Sequence, residues 1–190
     1  TETENNFLRI LPAPGPVTID GDDLSRILLV ESGANVLLKN LTLTGGYPVF
    51  TGSAIEAYGG CIRNLGNLKL KTVTVTDNTA DFNGGGIANE GALTLRNTAV
   101  TNNESKTNPG GGIWSSGDLT VINSTISNNI VGTMSGGGYG GGIFSSGTAT
   151  ITGTTIADNG ANRGQGGIRN TGTMTITESV IVANNGFYGM

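Results

Sequence analysis

The sequence predicts an all-β protein wound as a right-handed parallel β-helix, a solenoid of about six coils with three short strands in each. Three observations carry this. Five segments open on glycines and an isoleucine: Gly59-Gly60-Cys61-Ile62, Gly84-Gly85-Gly86-Ile87, Gly110-Gly111-Gly112-Ile113, Gly140-Gly141-Gly142-Ile143 and Gly166-Gly167-Ile168. Behind each isoleucine comes a corner glycine (Gly66, Gly91, Gly117, Gly147, Gly172), and further on an apolar landmark (Val75, Val100, Ile126, Ile156, Ile181). Both sets advance by the same gaps of 25, 26, 30 and 25 residues. Within each copy the apolar period is 2, the strand period, as in Leu93-Thr94-Leu95 and Leu119-Thr120-Val121. A unit of this size cannot bury its apolar residues alone, whereas stacked copies bury a continuous core. Parallel crossovers are overwhelmingly right-handed, which sets the expected hand.

Taken in order, residues 1–15 do not repeat. Phe7-Leu8-Arg9-Ile10-Leu11 reads as one short strand, stopped by Pro12, Pro14 and Pro16. This segment is expected to be a leader or a cap, with the repeat domain spanning 16–190. Val17-Thr18-Ile19 alternates and ends in the turn cluster Asp20-Gly21-Asp22-Asp23. A short apolar run at 27–30 and a Ser32-Gly33 corner lead to Val36-Leu37-Leu38 and Leu41-Thr42-Leu43, after which the five clear copies follow. Extra residues fall between the third strand and the next glycine run, chiefly at 47–58 and 130–139. They are therefore expected to emerge along one edge, where solenoids often bind partners. Stacking at about 4.8 Å per coil gives a rod of roughly 30 Å.

Composition narrows the function. The chain has 190 residues, 33 of them glycine without a collagen period, and its net charge of −4 argues against a nucleic-acid groove. The single cysteine, Cys61, is expected to be a small buried hydrophobe. No apolar run approaches a membrane span, and the acidic opening Thr1-Glu2-Thr3-Glu4 does not read as a secretory signal, so an exported form would be a mature or excised piece.

The copies resemble the glycine-rich repeats of bacterial surface β-helix proteins, written GGGI, N, GTLTL, NSTISNN. Here they read Gly112-Ile113, Gly117-Asp118-Leu119-Thr120-Val121 and Asn123-Ser124-Thr125-Ile126-Ser127-Asn128-Asn129. They are similar to polymorphic outer-membrane protein and autotransporter-passenger repeats. The resemblance covers residues 17–185 and implies an extracellular or cell-surface setting and a structural scaffold; the motif itself encodes no activity.

Two columns of asparagine are expected to act as hydrogen-bonded ladders. Asn64, Asn89 and Asn170 share one repeat position, with Ser115 and Ser145 in the other two copies; Asn78, Asn103, Asn129, Asn159 and Asn184 share the other. The glycine runs lack the Lys-Ser/Thr of a phosphate loop. The absence of histidine removes Ser-His triads and the commonest general base. Asp77 and Asp158 share a corner but stand three coils apart, roughly 14 Å, too far for a glycosidase pair. No catalytic residue is assigned and no cofactor is implied. Asp20, Asp22 and Asp23 could ligate a hard cation such as calcium, although a solvated turn explains the same residues.

The outer column of the first strand places Arg63, Ala88, Trp114, Phe144 and Arg169 on successive coils. Trp114 and Phe144, flanked by arginines, form a candidate platform for sugar rings or a protein; the alternative is an insertion loop, near Tyr139, lying over them. Thr94, Thr120, Thr150 and Thr175 form an outer column like an ice-binding face, but Lys69, Lys71, Arg96 and Ile122 interrupt that array. The expected function is a structural or adhesive module of a surface protein, with self-association through open ends or binding of a cell-surface protein or glycan. The alternatives are a carbohydrate-binding or polysaccharide-degrading β-helix and, more distantly, an ice-binding one.

Overall fold

The computed structural model describes residues 8–10, 15, 17–50, 52–132 and 138–186. It is a parallel β-helix of about six turns. Every strand pairing is parallel, and each strand pairs with its equivalent one coil away. Among the described residues the one helical element is a single 3-10 turn, Ala54–Ala57, in the longest loop.

The coil carries a fourth strand beyond the three expected. In one copy the chain runs Ile87–Asn89, Ala92–Arg96, Ala99–Thr101 and then Glu104–Ser105. The two-residue strand recurs at Thr79–Ala80, Ile130–Val131, Gly160–Ala161 and Asn185–Gly186, building a five-stranded sheet of its own. Two residues are too few to show a period, so these positions read from sequence as the start of the insertions. Leu8–Ile10 is a strand and extends the long-strand sheet by pairing with Val36–Leu38. Within the 130–139 insertion, residues 133–137 lie outside the described residues.

The core is a set of aliphatic stacks. Ile62, Ile87, Ile113 and Ile143 form one; Leu70, Leu95, Val121 and Ile151 another; Val75, Val100, Ile126 and Ile156 a third, and all are buried. Full burial of such a side chain is worth about 1.5–3 kcal/mol, so the gain grows with each coil added. Cys61 belongs to this core as a fully buried free thiol.

The corners explain the rest of the repeat. Asp77, Asn102, Asn128, Asp158 and Ala183 hold one left-handed corner, all at φ from 54° to 56°. Asn and Asp tolerate this region better than other residues with a Cβ. Asp77 and Asp158 therefore have a backbone role. In the four later runs the last glycine faces the asparagine ladder: a Cβ on Gly112 would lie 2.9 Å from the Asn129 amide, and one on Gly142 2.9 Å from that of Asn159.

Candidate functional site

The most continuous polar feature is the ladder at the corner before the two-residue strands. The Nδ2 of Asn78 donates to Oδ1 of Asn103 at 2.9 Å, and the same bond repeats from Asn103 to Asn129, Asn129 to Asn159 and Asn159 to Asn184, each at 2.9 Å. Each Oδ1 also accepts the backbone N–H of the preceding asparagine, at 3.0–3.1 Å. Each Nδ2 reaches back to a carbonyl of the coil before it, such as Val75 and Val100. Asn78, Asn103, Asn129 and Asn159 are buried. Their hydrogen-bonding groups are directed into the scaffold and offer nothing to a ligand.

The second column is only partly a ladder. Asn64 donates to Asn89 at 2.7 Å and Asn89 to Ser115 at 2.9 Å. Ser145 has a buried hydroxyl with no hydrogen-bond partner, and Asn170 is exposed and bonds its own turn at Gly172. A serine is too short to carry the chain of bonds across a coil. A third column was not foreseen: the N–H groups of Thr98, Ser124 and Thr154 donate to the hydroxyls of Ser124, Thr154 and Ser179. Its signal was present, since these residues recur at gaps of 26, 30 and 25, the spacings of the other landmarks.

Of the two arrangements open for the aromatic column, an exposed platform and a loop lying over it, the structure has loop residues packed against it. Trp114 and Phe144 are register partners on adjacent strands, and both are half-buried. The ring facing Trp114 is Tyr58, from the loop before the first glycine run, with centroids 5.7 Å apart and planes tilted by 58°. Ala88, on the outer side of the coil before, is fully buried. Arg63 pairs with Glu90 at 2.9 Å. The Arg169 guanidinium lies 3.8 Å from the centroid of Tyr139, and Gly164 leaves room for that ring, because a Cβ there would fall 2.5 Å from it. Loop tyrosines thus lie against the column at Trp114 and at Arg169.

Two further residues organise these loops. Arg26 donates to the carbonyls of Glu56, Tyr58 and Gly59, fixing the 3-10 turn and with it Tyr58. Burial lowers the Arg26 pKa from its ordinary value, the Arg63 charge adds to this, and Glu56 opposes it. Nothing in the sequence marks this arginine, whose partners are backbone atoms about 30 residues away. On the loop edge Tyr47, Asp81 and Lys106 come from three successive coils. The Tyr47 hydroxyl donates to Asp81 at 2.9 Å and accepts from Lys106 at 2.6 Å, while Lys106 lies 3.3 Å from Asp81. The bond to Tyr47, followed by those to Asp81, raises the Lys106 pKa, and partial burial works against it.

In the Asp20, Asp22 and Asp23 turn, Asp20 Oδ1 accepts the Asp22 N–H at 2.9 Å, and Asp22 and Asp23 adopt positive φ. Among the described residues no cluster of three metal-ligating side chains is present. No helix among them is long and apolar enough to cross a membrane. On the outer face of the long-strand sheet Lys71 and Arg96 are exposed, with the exposed Thr150 and Thr175 further along. Compared with protein-family models, with curated proteins and with solved structures, the chain matches none.

Proposed function

We propose that this chain is a structural rod module of an extracellular bacterial surface protein, of the kind its glycine-rich repeats resemble, and that it extends or assembles by adding β-coils at its last coil. The observation that carries the reading is the strand Val180–Val182. In earlier coils the third strand is apolar inward and polar or small outward, as in Thr74–Thr76 and Thr125–Ser127. Val180–Val182 is apolar on both faces, a pattern of strands covered on both sides. Its residues are 55%, 50% and 51% exposed, whereas Ile156, the register partner of Ile181 one coil earlier, is fully buried. Among the described residues the four strands of this coil are the outermost members of their sheets, so each has a backbone edge that no described strand pairs. A coil laid on this edge gains backbone hydrogen bonds and covers Ile181; if a second molecule supplies it head to tail, the contact does not close and the product is a filament.

Sedimentation across a concentration series, with negative-stain microscopy of the same samples, tests this. Wild-type chains are expected to form end-to-end rods, and Ile181→Lys is expected to keep them short while the circular dichroism stays β-rich. Dispersed short rods for the wild type at the highest concentration would count against assembly.

A second reading, a glycan-binding side, is favoured by the half-buried Trp114, Phe144 and Arg169, grouped with Tyr58 and Tyr139. A glycan array with Trp114→Ala as control separates it from the first.

A further inference from the structure

We infer that the occupant of the last coil is the first described coil of a second copy of this chain, seated so that Arg169 pairs with Glu31 of that copy. This rests on the reading that coils are added at the last coil, and it names the partner, the register and the ion pair. Three of the four sheets run from one of these coils to the other. Among the described residues their outermost strands are Leu8–Ile10 and Thr173–Thr177, Val17–Asp20 and Val180–Val182, and Leu28–Val30 and Ile168–Asn170. Ile19 heads the stack that ends in Ile181, and Leu28 heads the one that ends in Ile168. Ile19, Leu28 and Ile168 are only partly buried against the core, and Ile181 is 50% exposed. The register used inside the chain, carried across the junction, sets Ile19 on Ile181 and Leu28 on Ile168, so both aliphatic stacks continue.

Charge fixes the direction and the register. Inside the chain Arg63 reaches one coil onward to Glu90 at 2.9 Å. Its register partner there is Ala88, so the carboxylate stands two residues past the partner. Arg169 holds the same outer column on the last coil. In the added coil its register partner is Leu29, and two residues past Leu29 stands Glu31, which is exposed. The other coils have Leu65, Ser116, Ser146 and Thr171 at the position of Glu31 and Glu90. The two columns thus hold two arginines and two glutamates: one pair meets inside the chain, and the other arginine and glutamate stand on opposite end coils. The junction repeats a contact that the fold already makes. Two last coils set against each other offer Arg169 only Thr171 from this column, which favours head-to-tail addition. Arg169 lies over the Tyr139 ring, and a guanidinium stacked in this way still pairs with a carboxylate through its N–H edge.

The test is sedimentation of the wild type, Arg169→Glu, Glu31→Arg, the double variant Arg169→Glu/Glu31→Arg and an equimolar mixture of the two single variants, with circular dichroism to confirm folding. Each single reversal sets like charges at the junction and is expected to raise the concentration at which rods form by at least about tenfold. The double variant and the mixture restore opposite charges and are expected to assemble as the wild type does. Thr18 and Val180 are equivalent residues of the two coils, and paired strands lie about 4.8 Å apart, within reach of a disulfide. Mild oxidation of Thr18→Cys/Val180→Cys is therefore expected to give a series of covalent multimers that neither single cysteine variant gives, with the native Cys61 buried. This pair carries the test should a charge reversal disturb folding. Wild-type chains that stay apart would overturn the addition of coils itself. Rods that form equally well in both single reversals, no recovery in the double variant, or covalent dimers from Val180→Cys alone would overturn this inference and leave the addition of coils standing.

Discussion

Removing one rung from the middle of the asparagine ladder is expected to cost far more than removing the last. Asn103 is fully buried, and its Oδ1 accepts both the backbone N–H of Asn78 at 3.1 Å and the Asn78 Nδ2 at 2.9 Å. Its own Nδ2 donates to Asn129 Oδ1, Val75 O and Thr101 O. Asn103→Ala leaves the buried Asn78 N–H without an acceptor, a penalty of about 1–3 kcal/mol, and removes side-chain bonds worth about 1 kcal/mol each. A loss of roughly 3–5 kcal/mol follows, large against the 5–15 kcal/mol total of an ordinary domain. Asn184 accepts the same pair of bonds from Asn159, but on a half-buried coil where water replaces it, so Asn184→Ala is expected to cost about 1 kcal/mol. Urea unfolding of both variants measures the difference. Equal losses, or a cost below about 1 kcal/mol for Asn103→Ala, would refute the view that the ladder's value lies in satisfying buried backbone.

Two other perturbations probe neighbouring features. The Ser145 hydroxyl is buried without a partner, so Ser145→Ala is expected to leave stability unchanged or raise it by up to about 1 kcal/mol; a loss above that in urea would show that the hydroxyl is satisfied. Burial pushes the Cys61 thiol well above its ordinary value of 9.0, so the folded chain keeps the proton that the unfolded chain releases. Stability is therefore expected to fall as pH rises past 9.0, by about 1.4 kcal/mol per pH unit from this group. Cys61→Ala should flatten that slope, and a thiol reagent should label wild-type protein only as fast as it unfolds; an unchanged slope or rapid labelling would contradict the buried setting.

Much of this molecule was written in its sequence because a solenoid repeats its reasons. Each inward aliphatic, each left-handed corner and each ladder asparagine occurs several times at a common spacing, so a pattern invisible in one copy is plain in five. Even the threonine and serine column at Thr98, Ser124, Thr154 and Ser179 carried that signal. The two-residue strands did not, because a strand that short has no period of its own and exists only through its neighbours in the stack.

The loops follow a different logic. Arg26 holding the carbonyls of Glu56 and Tyr58, Tyr58 against Trp114, Tyr139 over Arg169, and the Tyr47, Asp81 and Lys106 group each occur once, with partners that meet only after coils are stacked. From the sequence alone, Trp114 stood on the outer face of its strand; whether a loop crossed that face depended on where the chain went 56 residues earlier. The sequence by itself determined the coil, its core and its corners, since local periodicity and residue chemistry recur in every copy. Only the tertiary structure decided which outer surfaces stay open, because that depends on single, non-repeating contacts between residues far apart in the chain.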